Sequence, residues 1–485
     1  MSTSNEMQKN RLASISELKD MGVDPYPAAA YRTTHSINEL IIASQADEAV
    51  TVRTFGRITA LRLMGKAAFI DLLDEGKKLQ GYLSLKTLGD RDWSIVKLLD
   101  LGDIVGIEGF MFYTRKEELT LHVQKLTLLS KAALPLPLGK VDSDGNLRQS
   151  LSDTGRLLRD RHIDLLLNND LRQRLISRHK MMRTIRDYLD SEGFVELETP
   201  VLGRDYGGAA ASPFETHLNA LSADMYLRVS PECFLKRAFV GGLHKVYEIG
   251  KQFRNEGLSY KHNPEFTSLE WYEVNTDYND QMVRFENLVE RLAISVTGSP
   301  LVSFKEETID FTAPWQRRSV IELVANYLGV SDEALTHEFL SQTWDREALK
   351  GEKPKNWGEL LMGVFEGCVE GDLKGPIFVI DHPVEVSPLT KKHRSDERLV
   401  ERFEPFVLGI EIGNAYSELN DPTEQRSRLT QQDNSRDEPY GVDEAFLTAI
   451  DHGMPQCGGV GIGLDRIIMI LTNAERLSDV ILFPT

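Results

Sequence analysis

Cysteine is scarce in this 485-residue chain: Cys233, Cys368 and Cys457 are the only three, and they lie far apart. That spacing builds neither a disulfide framework nor a CxxC zinc knuckle, and it fits a reducing compartment. No apolar run approaches the roughly 18–20 residues that a bilayer span needs. The N-terminus, Met-Ser-Thr-Ser-Asn-Glu-Met-Gln-Lys, lacks the apolar core of a signal peptide and the Arg-rich bias of a transit peptide. A soluble, cytoplasmic protein without membrane contact is expected. Gly65-Lys66, Gly139-Lys140 and Gly250-Lys251 are never followed by Ser or Thr, so there is no P-loop. There is no Gly-x-Ser-x-Gly elbow and no pair of His at metal-binding helical spacing. Positive charge is also short, 56 Lys and Arg against 74 Asp and Glu for a net −18. That excludes a histone-like coat for nucleic acid but not a local basic patch. What remains is an ordinary globular mix, 41% apolar and 27% charged, sufficient for two to four domains at roughly 100–200 residues each.

The periodicity changes along the chain. Leu12, Ile15, Leu18 and Met21 recur at threes and predict a helix over 7–23, stopped by Gly22-Val23-Asp24-Pro25-Tyr26-Pro27. From 51 to 130 the segments Val52–Ile58, Ala68–Leu73, Leu79–Leu85, Ile104–Phe112 and Leu119–Leu128 alternate between glycine or charged turns. Five short strands of this kind predict a Greek-key barrel of the oligonucleotide-binding (OB) type. Residues 51–100 carry nine Lys/Arg against six Asp/Glu, opposite in sign to the whole. Leu134-Pro135-Leu136-Pro137-Leu138-Gly139 reads as a linker, because proline fixes φ and cannot donate to a sheet. Asn168-Asn169-Asp170 then starts a long helix with Leu175, Met182, Ile185 and Leu189 on one face, stopped at Gly193. Residues 320–370 read as a helical insertion.

Three segments carry chemistry. Gly193-Phe194 through Thr199-Pro200, taken alone, is a helix–strand junction. In Phe253-Arg254-Asn255-Glu256 the Arg and Glu are two apart on a strand and share a face. Such a pair is ordinarily a surface salt bridge, but a guanidinium is also a bidentate phosphate clamp. Lys261-His262 and Phe266 follow, the last an aromatic able to stack a base. In Gly459-Val-Gly461-Ile-Gly463-Leu-Asp465-Arg466 alternate glycines strip one strand face bare, as a flat ligand lying on the backbone requires. The third glycine comes one residue too early for a dinucleotide fingerprint.

These segments, in this order, resemble motifs 1, 2 and 3 of the class II aminoacyl-tRNA synthetases. Gly207-Gly208-Ala209-Ala210-Ala211, Met225 to Glu232, Asn263 to Thr267, Glu411 to Leu419 and Asp479 to Pro484 are similar to the lysine-specific branch of that family. The resemblance implies an α+β catalytic domain on an antiparallel sheet behind an OB-fold barrel. The expected domains are a helical extension over 1–45, an anticodon-binding OB fold over 46–133, a linker over 134–170 and the catalytic domain over 171–485, with an insertion at about 305–375. It implies activation of L-lysine by ATP and transfer to the 3′ end of tRNA(Lys), by a homodimer, with Mg2+ accompanying ATP.

The same resemblance assigns roles to residues. Arg254 and Arg466 are the catalytic expectations: Arg254 contacts the α-phosphate and the amino-acid carboxylate, and Arg466 covers the adenine. Glu256 receives the adenine amino group, His262 approaches the outer phosphates with Asn263 beside it, and Phe266 stacks beneath the base. Glu404 and Glu411 are the metal carboxylates, though two acids seven apart otherwise suggest a solvated face. Gly208 and Glu232 hold the α-amino group, and Glu270, Tyr272, Asn414 and Glu418 surround the side chain, where two carboxylates and a phenol suit an ammonium and repel an aspartate. In the barrel Phe69 stacks an anticodon base, with Arg62 and Gln80 as polar companions; Phe69 alone could equally be barrel core. The chain departs from the family pattern at Lys261 and Ile410, where Arg is usual, and at Tyr206, where Pro is usual.

Overall fold

The computed structural model describes residues 2–43, 50–137, 154–204, 207–208, 211–257, 259, 262–434 and 441–484. Tyr206, Ala209, Ala210, Lys261 and residues 138–153 of the linker lie outside the described residues. The chain forms two compact units, 1–169 and 170–485.

The first unit opens with α1 (Ser2–Asp20). Its buried stripe is Arg11 and Leu18, while Leu12 is exposed, so the expected face is rotated. Arg11 is buried because its guanidinium donates to the carbonyls of Leu101, Ala132 and Leu134. The barrel strands are β1 (Val52–Met64), β2 (Ala67–Asp74), β3 (Lys77–Ser84), β4 (Ile104–Tyr113) and β5 (Leu119–Ser130). They close into a five-stranded barrel, as expected, in the order β1-β2-β3-β5-β4. Leu85 is not in β3; it opens α2 (Leu85–Lys97), whose Ser84 cap accepts from the Thr87 amide. Inward residues such as Ile58, Ile70, Leu83, Val105, Ile107 and Val123 fill the barrel, each fully buried and each contributing on the order of 1.5–3 kcal/mol. Gly109 sits at a register shift where any Cβ would collide with the His122 carbonyl.

The second unit begins with α3 (Asn169–Ser191), stopped at Gly193 with φ +82°. Leu171, Met181, Ile185, Tyr188 and Leu189 form its buried face, with Leu175 and Met182 only half-buried. The sheet strands are β6 (Val195–Glu196), β7 (Lys245–Phe253), β8 (Glu265–Val274), β9 (Gln316–Ser319), β10 (Ile377–Pro383), β11 (Leu399–Val407), β12 (Gly413–Ser417) and β13 (Cys457–Gly463). They lie in the order β9-β10-β11-β12-β13-β8-β7-β6, with the two-residue strand Ile410–Glu411 paired to β11. Pairings are antiparallel except β6–β7 and β9–β10. Helix α4 (Tyr278–Thr297), with a capping box at Asp277 and Asp280, and α5 (Leu464–Leu471) join α3 in the core behind the sheet. Ile410, where the family favours Arg, is 3% exposed in that core. Residues 320–370 are helical as read, and their apolar faces make a separate core against β10 and β11.

Candidate active site

The face of the central strands opposite the core holds the site, and cross-strand register builds it. Gly461 of β13 stands between Asn414 of β12 and Glu270 of β8. Two residues along, Gly459 stands between Tyr416 and Tyr272. With no side chains at Gly459, Gly461 and Gly463, the neighbours lean over β13. A Cβ on Gly459 would collide with Glu418 Oε1 and the Tyr272 ring. The glycines therefore serve two purposes: Gly459 makes room for the chain's own acid and phenol, while Gly461 and Gly463 front open cavity.

One cavity, about 380 Å³, is lined by Gly208, Glu232, Glu270, Tyr272, Asn414 and Glu418 together with Arg254. All seven residues expected to bind the amino acid therefore line one cavity. Gly208, at φ +91°, lies against Ser230 and Glu232. Glu270 is buried and accepts from Ser230 Oγ at 3.0 Å and Tyr272 Oη at 3.0 Å. Burial and the Glu232 charge push its carboxyl up to about 7, against the hydrogen bonds and Arg254. Tyr416 Oη donates to Glu232 at 2.8 Å. Burial raises the Tyr272 and Tyr416 phenols well above their ordinary range, so both remain hydrogen-bond donors.

A second cavity, about 270 Å³, brings together Arg254, Glu256, His262, Asn263, Phe266 and Arg466. It shares Arg254, Glu270, Glu411, Asn414 and Gly461 with the first. The Arg254 guanidinium lies 5.1 Å from the Phe266 ring centroid, and its buried Nε has no hydrogen-bond partner among the described residues. An unsatisfied charged donor where two cavities meet is suited to an anion. Arg466 donates to the Glu411 carbonyl at 2.7 Å and its carboxylate at 3.1 Å. Asp465, next to it, accepts from the Thr267 amide at 2.9 Å and pairs with Arg178, which fixes the start of α5 against β8.

A third cavity, about 250 Å³, is shared by Glu404, Glu411, His262, Arg402 and Arg466. Arg402 donates to Glu404 at 2.6 Å and to Asn414 at 3.0 Å, and so ties the acid cavity to the amino-acid cavity. Each carboxylate has one oxygen held by an arginine; the other has no donor among the described residues. Two hard carboxylate oxygens facing one cavity fit a magnesium ion that takes its remaining ligands from phosphate and water. Glu366 joins them, its carboxyl pushed up by burial and by Glu370, Glu404 and Glu411.

On the barrel, Arg62, Phe69, Tyr82, His122 and Phe110 form one cross-strand row over β1, β2, β3, β5 and β4. Phe69 is half-exposed and outside the barrel core. Its ring lies 5.1 Å from Tyr82, which is 5.4 Å from His122, and His122 stacks on Phe110 at 4.8 Å. Gln80 accepts from Thr120 at 3.0 Å, and Arg62 pairs with Asp71 at 2.8 Å.

Sequence reasoning missed Ser230, Lys236, Arg402 and Tyr416, and the aromatics beyond Phe69. Arg402-Phe403-Glu404 repeats the Arg-x-Glu spacing that singled out Arg254, so Arg402 was legible. The row was not, because its members lie on five strands spread along the sequence and stand side by side only once the barrel closes.

The fold and the site belong to a known class. Residues 153–485 match the family model for tRNA synthetases class II (D, K and N), and residues 50–129 match the OB-fold nucleic acid binding domain. The chain belongs to this class II tRNA synthetase family. Its curated relatives include the lysine–tRNA ligase of Clostridium botulinum, 42% identical over 99% of this chain and 95% of the relative. The lysine–tRNA ligase of Clostridium novyi is 42% identical over 99% and 94%, and that of Carboxydothermus hydrogenoformans is 40% identical over 99% and 98%.

Proposed function

We propose that this chain activates L-lysine with ATP and transfers the lysyl group to the 3′ end of its tRNA, working as a cytoplasmic homodimer. The observation that carries the reading is the acid-lined cavity of Glu232, Glu270 and Glu418, joined at Arg254 to a cavity with Phe266, Glu256 and Arg466. A lysine carboxylate oxygen attacks the α-phosphorus, and the bond to the pyrophosphate oxygen breaks. The nucleophile is already an anion, so no side chain need remove a proton. Arg254 clamps the carboxylate and α-phosphate together and offsets charge in the transition state. Phe266 and Arg466 sandwich the adenine, Glu256 receives its amino group, and His262 and Asn263 flank the phosphates. Glu404 and Glu411 would hold the magnesium ion, which supplies charge neutralisation at the phosphates. In the second step a ribose hydroxyl of tRNA attacks the lysyl carbonyl and AMP leaves.

Arg62, Phe69 and Gln80 are assigned to the anticodon, and the aromatic row supports a platform for unstacked bases. Val195, Val201 and Leu202, exposed on or beside motif 1, supply apolar surface for the dimer. The test is charging of unfractionated tRNA with labelled lysine, aspartate and asparagine by the purified protein. Lysine alone is expected to be esterified to tRNA; acceptance of aspartate or asparagine in its place would overturn the reading.

A further inference from the structure

We infer that Lys236 is a resident counter-ion of the amino-acid pocket, a positioning residue whose ammonium keeps Glu418 charged and turned toward the substrate before it binds. The inference rests on the lysine-activating reading above. Lys236 lies on the helix Glu232–Val240 and is wholly buried, which lysine tolerates almost only when paired. Its Nζ meets Glu232, one turn back on the same helix, and Glu418, just past β12. The rings of Tyr416, Phe446 and Tyr272 stand 5.5, 5.8 and 5.9 Å from it. Nothing in the two-step reaction uses this side chain.

Glu418 explains its presence. This carboxylate is also wholly buried. Oε2 faces Lys236. Oε1 lies over Gly459 and has no hydrogen-bond donor among the described residues. A buried acceptor without a partner is costly, and this one lines the cavity. A second ammonium, delivered by the substrate, completes its coordination. Burial, with the Glu232 and Glu270 charges, holds the Glu418 carboxyl well above its ordinary range, and Lys236 is the group that opposes them. For Lys236, burial pulls downward but Glu232 and Glu418 outweigh it, so the ammonium stays charged. The other titratable groups around the pair are Glu270 and Tyr272 on β8, Tyr416 on β12, Cys233 on the Lys236 helix and Cys457 on β13. Burial raises both phenols and both thiols, which are neutral near pH 7. Asp443 acts on Cys233 and Lys391 on Cys457.

The experiment compares Lys236→Met, similar in length but uncharged, and Lys236→Arg with the unaltered protein in lysine-dependent ATP–pyrophosphate exchange. With Lys236→Met the lysine KM is expected to rise about tenfold or more near neutrality. That KM should then fall as the pH is raised, more steeply than in the unaltered protein, as the proton now carried by Glu418 is removed. The KM for ATP should stay within about twofold, and Lys236→Arg should restore the pH profile of the unaltered protein. An unchanged lysine KM and pH profile in Lys236→Met would overturn the inference. So would a loss of kcat equal at every pH, the mark of a structural role alone. Proton release on lysine binding to the unaltered protein, by calorimetry in two buffers near pH 8, needs no variant to fold. Well under half a proton is expected if Glu418 is already ionised, and one proton or more overturns it. Absence of lysine-dependent exchange in the unaltered protein would instead remove the functional reading, and this inference with it.

Discussion

Arg254 stands where the cavities proposed for the amino acid and the nucleotide meet, with a buried Nε that the described protein leaves unsatisfied. If its work is to clamp carboxylate against phosphate, Arg254→Ala should lower exchange by about a thousandfold or more, on the order of 4 kcal/mol of transition-state stabilisation. Thermal unfolding should move little, because the ring contact with Phe266 is its main packing interaction. Near-normal exchange by the folded variant would contradict the assignment. Glu270 gives a second test at this scale. Its carboxyl is pushed up to about 7, so below that pH the free pocket holds a proton that an incoming ammonium must displace. The kcat/KM for lysine should therefore rise about tenfold per pH unit below about 7 and level off above it. Glu270→Gln should abolish that dependence as well as most of the affinity.

At the scale of the element, the strand β13 explains why the site has its shape. Gly459→Ala should place a methyl against Glu418 and Tyr272, and the lysine KM is expected to rise about a hundredfold or more, the cost of one badly overpacked contact. The KM for ATP should change little, since Gly459 does not line the nucleotide cavity. Equal damage to both substrates would contradict this division of the strand. The glycine spacing was legible in the sequence as a bare face, but not which glycine fronts ligand and which fronts the protein's own side chains. The five barrel strands were legible because each buries mostly one face and alternates over much of its length. The stripe of α1 was not, because a buried arginine at position 11 breaks the rule that the inner face is apolar. Arg254 and Glu256 were singled out as residue types at a spacing, whereas Glu404 came only from the family resemblance. Lys236 was hidden for the opposite reason: a lysine on a helix surface and a lysine buried between two acids look alike until the fold brings Glu418 to it.

At the scale of the whole molecule, two units carry separate surfaces: a barrel with an outward aromatic row and a sheet with three joined cavities. Phe69→Ala should therefore lower kcat/KM for tRNA by about 5- to 150-fold, the worth of one stacked base at about 1–3 kcal/mol. Lysine-dependent exchange, which needs no tRNA, should be unaffected, and parallel loss of both would contradict a separate base-stacking role. The central claim concerns the pocket, and the most direct measurement is ATP–pyrophosphate exchange by the purified protein with lysine, aspartate, asparagine, ornithine and β-lysine in turn. Exchange that depends on lysine is expected, with aspartate and asparagine inactive because buried Glu270 and Glu418 repel a side-chain carboxylate and offer an amide no donor. Exchange driven by aspartate or asparagine, or by none of the five with a folded protein, would contradict it.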